Sequence, residues 1–353
     1  MKKSTAMKPS LTIGLDVGDR WIHVARVDSS GEHMGDDRIP CNRAKLRLYF
    51  EELERCRVVL EVGTHSRWID QTLRELGYEV IVADAGRVQT IRASRQKSDR
   101  NDARALAELG HLGPKFLHPI QHRPEQMQEH LSLLRARDVL VRARSSFVSQ
   151  VRGALKACGQ KPPSCSTRAF SKRIAESSLS SSHAGAAVLT ETIQQLTAQI
   201  KTVDRRIAEL AKLYPPVAVI SQIHGVGPVT SLAFVLCIFD PARFRDSRDV
   251  AAYFGLVPAK YQSGDRDPQL GITKTGNRFM RRLLVQCAQY ILGPNRPDCD
   301  LRRYGERIAA RGGKGAKKRA VIAVARKLAV VMHHLWKTGE VYQPLREACA
   351  SAS

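Results

Sequence analysis

The sequence predicts an α/β domain at the N-terminus, a helical arm behind it and a mainly α-helical C-terminal domain, over residues 1–120, 121–215 and 216–345. Three observations predict this. Apolar runs in hairpin order give way to alternating helix and strand patterns, the mark of a mixed sheet covered by helices. A heptad stripe of aliphatic side chains follows in the middle of the chain. Beyond Pro215 the helical segments are punctuated by glycine and loaded with arginine and lysine.

Residues 11–17 read as a buried strand, and Gly18, Asp19 and Arg20 as a turn into a second strand over 21–28. A third short strand is expected around 33–39, then a helix over 43–55, a strand over 58–62 and a helix over 67–76 that stops at Gly77. A strand over 79–83 and a helix over 101–109 complete the domain. After Pro124 a long helix runs from about 125 to 156, with Met127, Leu134, Val141, Val148 and Leu155 seven apart. Residues 159–186 are rich in Ser, Pro and small residues and read as a loop. In the next helix Leu189, Ile193, Leu196, Ile200, Val203, Ile207 and Leu210 alternate four and three apart. Such a stripe serves an intramolecular hairpin with the preceding helix, a dimerisation arm, or both. Pro215 and Pro216 end it.

Composition narrows the function classes. The chain has 353 residues, 57 Lys or Arg against 34 Asp or Glu, and a formal net charge of +23. A hydrophobic share of 43% excludes a disordered basic tail as the whole chain. The partner is therefore a polyanion, nucleic acid before membrane. No stretch approaches the roughly 18 apolar residues of a membrane span, and MKKSTAMKPS leads into no signal-type apolar core. The eight cysteines are scattered without zinc spacing and fit a reducing cytoplasm.

Four carboxylates stand out on so basic a chain: Asp16, Glu61, Asp99 and Asp102. Asp16 sits inside an apolar strand, where a carboxylate is costly to bury without a cationic partner. Glu61 ends the run Val58-Val59-Leu60, and Asp99 and Asp102 share one face of a helix start. Oxygen ligands of this kind suit hard divalent cations, above all a pair of Mg²⁺ ions working on a phosphate, with Mn²⁺ as a substitute. Each residue also has an ordinary role, as a turn former, a strand-end polar group or a helix N-terminal charge.

The C-terminal third carries three basic or glycine-rich blocks. Ile223-His224-Gly225-Val226-Gly227-Pro228 has the look of a helix-hairpin-helix turn that meets a phosphate backbone through Gly225 and Gly227. Ser263 lies in a Ser-Gly turn, followed by Gly-Ile-Thr-Lys-Thr-Gly-Asn-Arg with Lys274, Asn277, Arg278, Arg281 and Arg282. These cations are placed to neutralise a phosphate approaching an exposed hydroxyl, although Ser263 is equally an ordinary turn residue. The segment 311–319 carries five cations in nine residues, among them Lys314, Lys317 and Lys318, on a flexible glycine background suited to backbone contact.

Asp16 in Ile-Gly-Leu-Asp-Val-Gly, Glu61 in Leu-Glu-Val-Gly and the stretch Lys-Ser-Asp-Arg-Asn-Asp-Ala resemble the DEDD transposases of bacterial insertion sequences, in the insertion sequence 110 and 1111 groups. Gly-Leu-Val-Pro, Ser-Gly, Gly-Ile-Thr-Lys-x-Gly-Asn and Arg-Arg-Leu-Leu resemble the C-terminal signature of the same family. The likeness spans about residues 11–342 and is weakest in the serine-rich middle and over 265–270. Ser98 stands where the family usually has Thr.

The resemblance implies an RNase H-like, RuvC-like N-terminal domain, with Asp16, Glu61, Asp99 and Asp102 as its Mg²⁺-binding catalytic tetrad. It further implies a serine nucleophile, Ser263 with Ser247 as second choice, a covalent phosphoserine intermediate on DNA, and guidance by a structured non-coding bridge RNA. Metals in one domain and the serine in another make the implied site composite. The expected assembly is a homo-oligomer, dimer or tetramer, joined through the heptad arm. The rival readings are a RuvC-like junction resolvase or nuclease using water, and a non-catalytic nucleic-acid-binding protein.

Overall fold

The computed structural model describes residues 10–84, 98–177, 184–262, 268 and 270–346. The chain forms two compact units, Met1–His122 and Arg123–Ser353. Among the described residues no helix is long and apolar enough to cross a membrane.

The first unit is built on β1 (Leu11–Val17), β2 (Trp21–Asp28), β3 (His33–Pro40), α1 (Arg43–Glu51), β4 (Arg57–Glu61), α2 (Ser66–Glu75), β5 (Glu79–Ala83) and α3 (Asp99–Leu112). The five strands form one sheet in the order β3-β2-β1-β4-β5. β1, β2 and β3 run antiparallel as a meander, whereas β4 and β5 lie parallel to β1. This mixed sheet with its helices is compatible with an RNase H-like domain, as expected. The predicted helix over 43–55 is shorter, ending at Glu51, and the one expected from 101 runs instead from Asp99 to Leu112 because Ser98 caps it two residues earlier.

Alternation along the strands gives the sheet two different faces. Ile13, Leu15, Ile22, Val24, Val58, Leu60, Val80 and Val82 pack with Leu46 and Phe50 of α1 and Ile69 and Leu73 of α2 in one apolar cluster. The opposite face is covered by α3: small residues Ala25, Val27, Ala103 and Ala107 cluster over β1 and β2, and Leu106 packs with Val59, Ile81 and Ala83 over β4 and β5. Gly14 explains how close the helix comes. A Cβ at that position would lie 2.0 Å from the Ala103 carbonyl oxygen and 2.5 Å from the Ala107 nitrogen.

The second unit opens with α4 (Glu125–Ala157), α5 (Phe170–Ala175) and α6 (Ala184–Lys212). Helices α4 and α6 pack along one another. Val148, Val151 and Leu155, late in α4, cluster with Ala186 and Ile193, early in α6, while Leu131 and Leu134 share a cluster with Ile207, so the pair is an antiparallel hairpin. The heptad stripe splits accordingly: Ile193, Ile200 and Ile207 are buried, whereas Leu196, Val203 and Leu210 are half-buried. α5 lies inside the stretch expected to be loop, and it forms because Phe170 and Ile174 enter the cluster of Val148 and Ile193.

The rest of the unit comprises α7 (Pro215–Ile220), α8 (Pro228–Ile238), α9 (Ser247–Tyr253), α10 (Arg278–Ile291), α11 (Asp300–Ala310) and α12 (Ala316–Thr338). Pro215 and Pro216 therefore open a helix as well as following one, since proline in the first turn gives up no intrahelical donor. α8 is buried from Thr230 to Ile238, as befits a helix apolar on every side, and α4, α6, α7 and α10 pack against it. Leu131, Leu134 and Ile207 of the hairpin belong to the same core as α8, α10 and α12.

Candidate active site

The strand pattern brings the N-terminal carboxylates together. Thr12, Gly14 and Asp16 alternate onto the α3 face of β1, and Arg57, Val59 and Glu61 onto the same face of β4. Gly110 of α3 meets that face directly, a Cβ there lying 2.4 Å from a Val59 methyl carbon, and Arg57 Nη1 donates to the Gly110 carbonyl over 3.0 Å. Since Leu15 is the register partner of Leu60 in the parallel pair, the next residues along, Asp16 and Glu61, end neighbouring strands on one side. The outer ends of parallel strands are where open α/β sheets place their ligands.

The helix brings the other two. Ser98 is the N-cap of α3, its hydroxyl accepting from the Asn101 amide over 3.2 Å, and Asp99 and Asp102 lie in the first turn. A Thr would cap in the same way, so the departure at Ser98 leaves the helix start intact. Because α3 is pressed onto β1 at Gly14, this first turn comes near Asp16. Burial, then repulsion from Asp99, Asp102 and Glu61 in that order, pushes the Asp16 carboxyl up to about 6, against a single opposing hydrogen bond from the Val17 backbone. Asp99, Asp102 and Glu61 thus all act on Asp16.

One further side chain reaches this cluster, and a separate ion-pair network holds the same helix. His23 pairs with Asp16 in the β1–β2 register, and its Nε2 lies 3.5 Å from Asp99 Oδ2. On the neighbouring β3, Asp36 receives Arg100 and Arg104 of α3 and His33, and the Arg104 guanidinium beside it holds its carboxyl well below the usual carboxylate range. Sequence reading singled out none of these. For His23 the available signal was the three-residue turn at 18–20, which sets the hairpin register. For Arg100 and Arg104 it was their four-residue spacing among the aspartates.

A divalent cation fits this donor set in chemistry. Four neighbouring carboxylates, with Asp16 raised by burial and then by the other three, call for a hard cation as counter-charge. Among the described residues no three His, Cys, Asp or Glu side chains form a ready-made cage. Mg²⁺ needs none, because it binds through one or two carboxylates and keeps several waters.

The second unit treats its expected residues differently. Gly255 and Gly276 both have positive φ, at 67° and 72°. A Cβ on Gly255 would lie 2.3 Å from the Thr275 carbonyl oxygen, and one on Gly276 would lie 2.0 Å from that of Tyr253. These glycines lock 253–257 against 271–276, helped by Thr273 N donating to Val257 O over 2.9 Å and Ala259 N to Gly271 O over 2.8 Å. Ser263 itself lies outside the described residues. Ser247 begins α9, with its Oγ 2.9 Å from Nδ1 of the buried His333, whose Nε2 is 3.0 Å from the Pro241 carbonyl oxygen.

The expected nucleic-acid contacts divide into two kinds. Lys274, Arg278, Lys314, Lys317 and Lys318 are exposed. Arg281 instead donates to the carbonyls of Phe254 and Thr275 over 2.9 and 2.8 Å, bracing the glycine-locked loop. Arg282 pairs with Asp138 of α4. Asn277 caps α10 by accepting from the Met280 amide over 3.1 Å, and its amide nitrogen lies 3.1 Å from Cys237 Sγ. Gly225 has φ 89°, and a Cβ there would lie 2.8 Å from the Tyr290 ring. Gly227 is open and precedes α8.

Comparison with known proteins adds a second line. A DEDD transposase model of the IS110 group matches residues 13–159, and the model described as the transposase IS116/IS110/IS902 family matches residues 217–299. The transposase for insertion sequence element IS1111A of Coxiella burnetii is 26% identical, over 97% of this chain and 94% of that protein. The transposase for insertion sequence element IS1328 of Yersinia enterocolitica is 26% identical, over 95% and 99%. A probable family 20 transposase of Pseudomonas aeruginosa is 27% identical, over 79% and 83%. The first matched region contains Asp16, Glu61, Asp99 and Asp102, and the second contains the glycine-locked loop. The chain belongs to the IS110/IS1111 family of insertion-sequence transposases.

Proposed function

We propose that this transposase cuts DNA with a metal-dependent carboxylate site, Asp16, Glu61, Asp99 and Asp102, and with Ser263 as nucleophile. Breaking and rejoining DNA follows from the family. The metal site rests on one observation above the rest: the Asp16 carboxyl is raised to about 6 by burial and by the three other carboxylates. Those four side chains would hold Mg²⁺ or Mn²⁺, as two ions. When bound, these supply Lewis-acid stabilisation of charge on phosphate oxygens. The chain's own contribution is placement, through the Gly14 contact that sets α3 and the Ser98 cap that starts it.

Ser263 is carried over from the family's C-terminal motif. In the proposed step its Oγ bonds to phosphorus as a phosphodiester P–O bond breaks. The serine proton leaves to a base, and the departing deoxyribose oxygen takes up a proton as a free hydroxyl. Attack by a hydroxyl on the phosphoserine then rejoins a strand and frees the serine. The exposed Lys274, Arg278, Lys314, Lys317 and Lys318 hold the nucleic-acid backbone, as the net charge of +23 favours. A structured non-coding RNA as guide belongs to the proposal on family resemblance. Homo-oligomer formation belongs to it through the half-buried row Leu196, Val203 and Leu210.

A hydrolytic, RuvC-like reading has one observation in its favour: the carboxylate cluster is complete within the first unit. Denaturing gels of the reaction separate the two. The serine reading expects a DNA-linked protein band with the wild type. With Ser263→Ala it expects the band and all rejoining lost, and nucleic-acid binding kept. Free cleaved DNA at near-normal rate from Ser263→Ala overturns it in favour of water, and an adduct mapped to Ser247 moves the nucleophile.

A further inference from the structure

We propose that Asp36 is the positioning residue of the carboxylate site, gripping α3 from the flank opposite Asp99 and Asp102 and so setting the roll of that helix over the sheet. The inference rests on the metal-site reading above.

The geometry begins with the helix. At roughly 100° per residue, Ala103, Ala107 and Gly110 make one ridge. That ridge meets Gly14 of β1, Ala25 and Val27 of β2, and Val59 of β4. Asp99 and Asp102 fall on one side of it, roughly 50° and 100° away, and Arg100 and Arg104 fall on the other by similar angles. A ridge of small side chains brings the helix close, and on the Asp99 side Leu106 packs with Val59, Ile81 and Ala83. On the other flank the hold is made by directional bonds.

Asp36 supplies them. It pairs with Ala25 in the β2–β3 register, so it stands on the α3 face one strand beyond the ridge. Its side chain is only 9% exposed. Arg100 Nε reaches its Oδ2 over 2.5 Å, and Arg104 engages both oxygens, Nε at 3.0 Å from Oδ1 and Nη2 at 2.5 Å from Oδ2. His33 Nε2 lies 2.7 Å from Oδ1. The next residue, Asp37, serves the other face, accepting from the Tyr49 hydroxyl of α1 over 2.6 Å. Two guanidiniums drawn toward β3 turn the opposite flank, with Asp99 and Asp102, toward the ends of β1 and β4. Arginine forks fix orientation as well as distance, which a point charge does not.

The test is metal affinity in the full-length protein, followed by titrating Mn²⁺ and recording the free-ion EPR signal. Loss of an outer contact to a metal site typically weakens metal binding about 10- to 100-fold. Asp36→Asn is expected to weaken Mn²⁺ binding by about 10-fold or more. It should raise the Mg²⁺ needed for half-maximal DNA cleavage in parallel and leave nucleic-acid affinity unchanged. Should Asp36→Asn fail to fold, Arg104→Lys keeps the charge without the fork, and the same shifts are expected at smaller size. A folded variant of either kind with wild-type Mn²⁺ affinity and Mg²⁺ requirement overturns the proposal. Asp102→Asn is the control. If it loses metal and cleavage while Asp36→Asn loses neither, only the positioning role fails. If Asp102→Asn binds and cleaves as wild type, the metal reading fails and takes the positioning role with it.

Discussion

The two units handle charge in opposite ways. In the first, anions gather: two strand carboxylates and two from the start of α3 come together, and burial with the repulsion of the other three raises Asp16 to about 6. In the second, cations spread out, some exposed and others, such as Arg281 and Arg282, spent on bracing the fold. A carboxylate cluster demands positioning to a fraction of a helix turn, and the first unit supplies it through glycine–alanine contact and directional ion pairs. A phosphate-binding surface asks less of its positions, so Lys314 can stand on a glycine-rich loop and Lys317 and Lys318 in the first turn of α12. That loop is shaped by Arg319, which donates to the carbonyls of Lys314 and Gly312.

The contrast can be broken most violently at the buried half of the hairpin. Ile200→Asp together with Ile207→Asp puts two unpaired charges where the side chains are 4% and 1% exposed. Since one unpaired buried charge already costs about 3–5 kcal/mol, thermal melting should show the second unit destabilised or unfolded. Oligomer mass is better probed at the half-buried row. Leu196→Lys with Val203→Lys should lower the mass seen by light scattering while the protein stays folded, and an unchanged mass would assign the seam to the hairpin alone.

Next in size is the close approach in the first unit. Gly14→Ala forces a Cβ onto the α3 backbone, where neither partner has a flexible end to yield. Overpacking costs about 1–3 kcal/mol, and because the displaced element carries Asp99 and Asp102, cleavage should fall much further than the melting shift accounts for. A Gly14→Ala protein that cleaves normally would detach the site from this contact.

Two arginines sharpen the comparison within the second unit. Arg281→Ala removes bonds to two carbonyls and should destabilise by about 1–3 kcal/mol, read as a lower melting temperature. Arg278→Ala should leave stability within about 0.5 kcal/mol. It should weaken nucleic-acid binding evenly across sequences and reduce the salt slope by about 1. Identical behaviour of the two would erase the division between bracing and binding cations.

Much of this was legible in the residues. Five strands and the meander could be read off because alternation is a local signal, and Asp16 and Glu61 stood out as anions in apolar runs. Asp36 was not legible, since its significance depends on Arg100 and Arg104, more than sixty residues downstream, arriving at β3 through the fold. The roles of Arg281 and Asn277 escaped for a related reason. A basic or polar residue in a glycine-rich motif looks the same whether it faces a phosphate or its own backbone. The helix Phe170–Ala175 hid in a serine-rich stretch because packing, not propensity, forms it.

In the proposed reading Asp16, Glu61, Asp99 and Asp102 form one metal-dependent cleavage site. Single-turnover DNA cleavage by the four single alanine variants, with nucleic-acid affinity measured alongside, tests it most directly. Loss of cleavage in all four with binding retained, matched by chelation of the wild type, is the predicted result, because removing an anion near phosphate weakens no backbone contact. Wild-type cleavage rates in any two of the variants would contradict it.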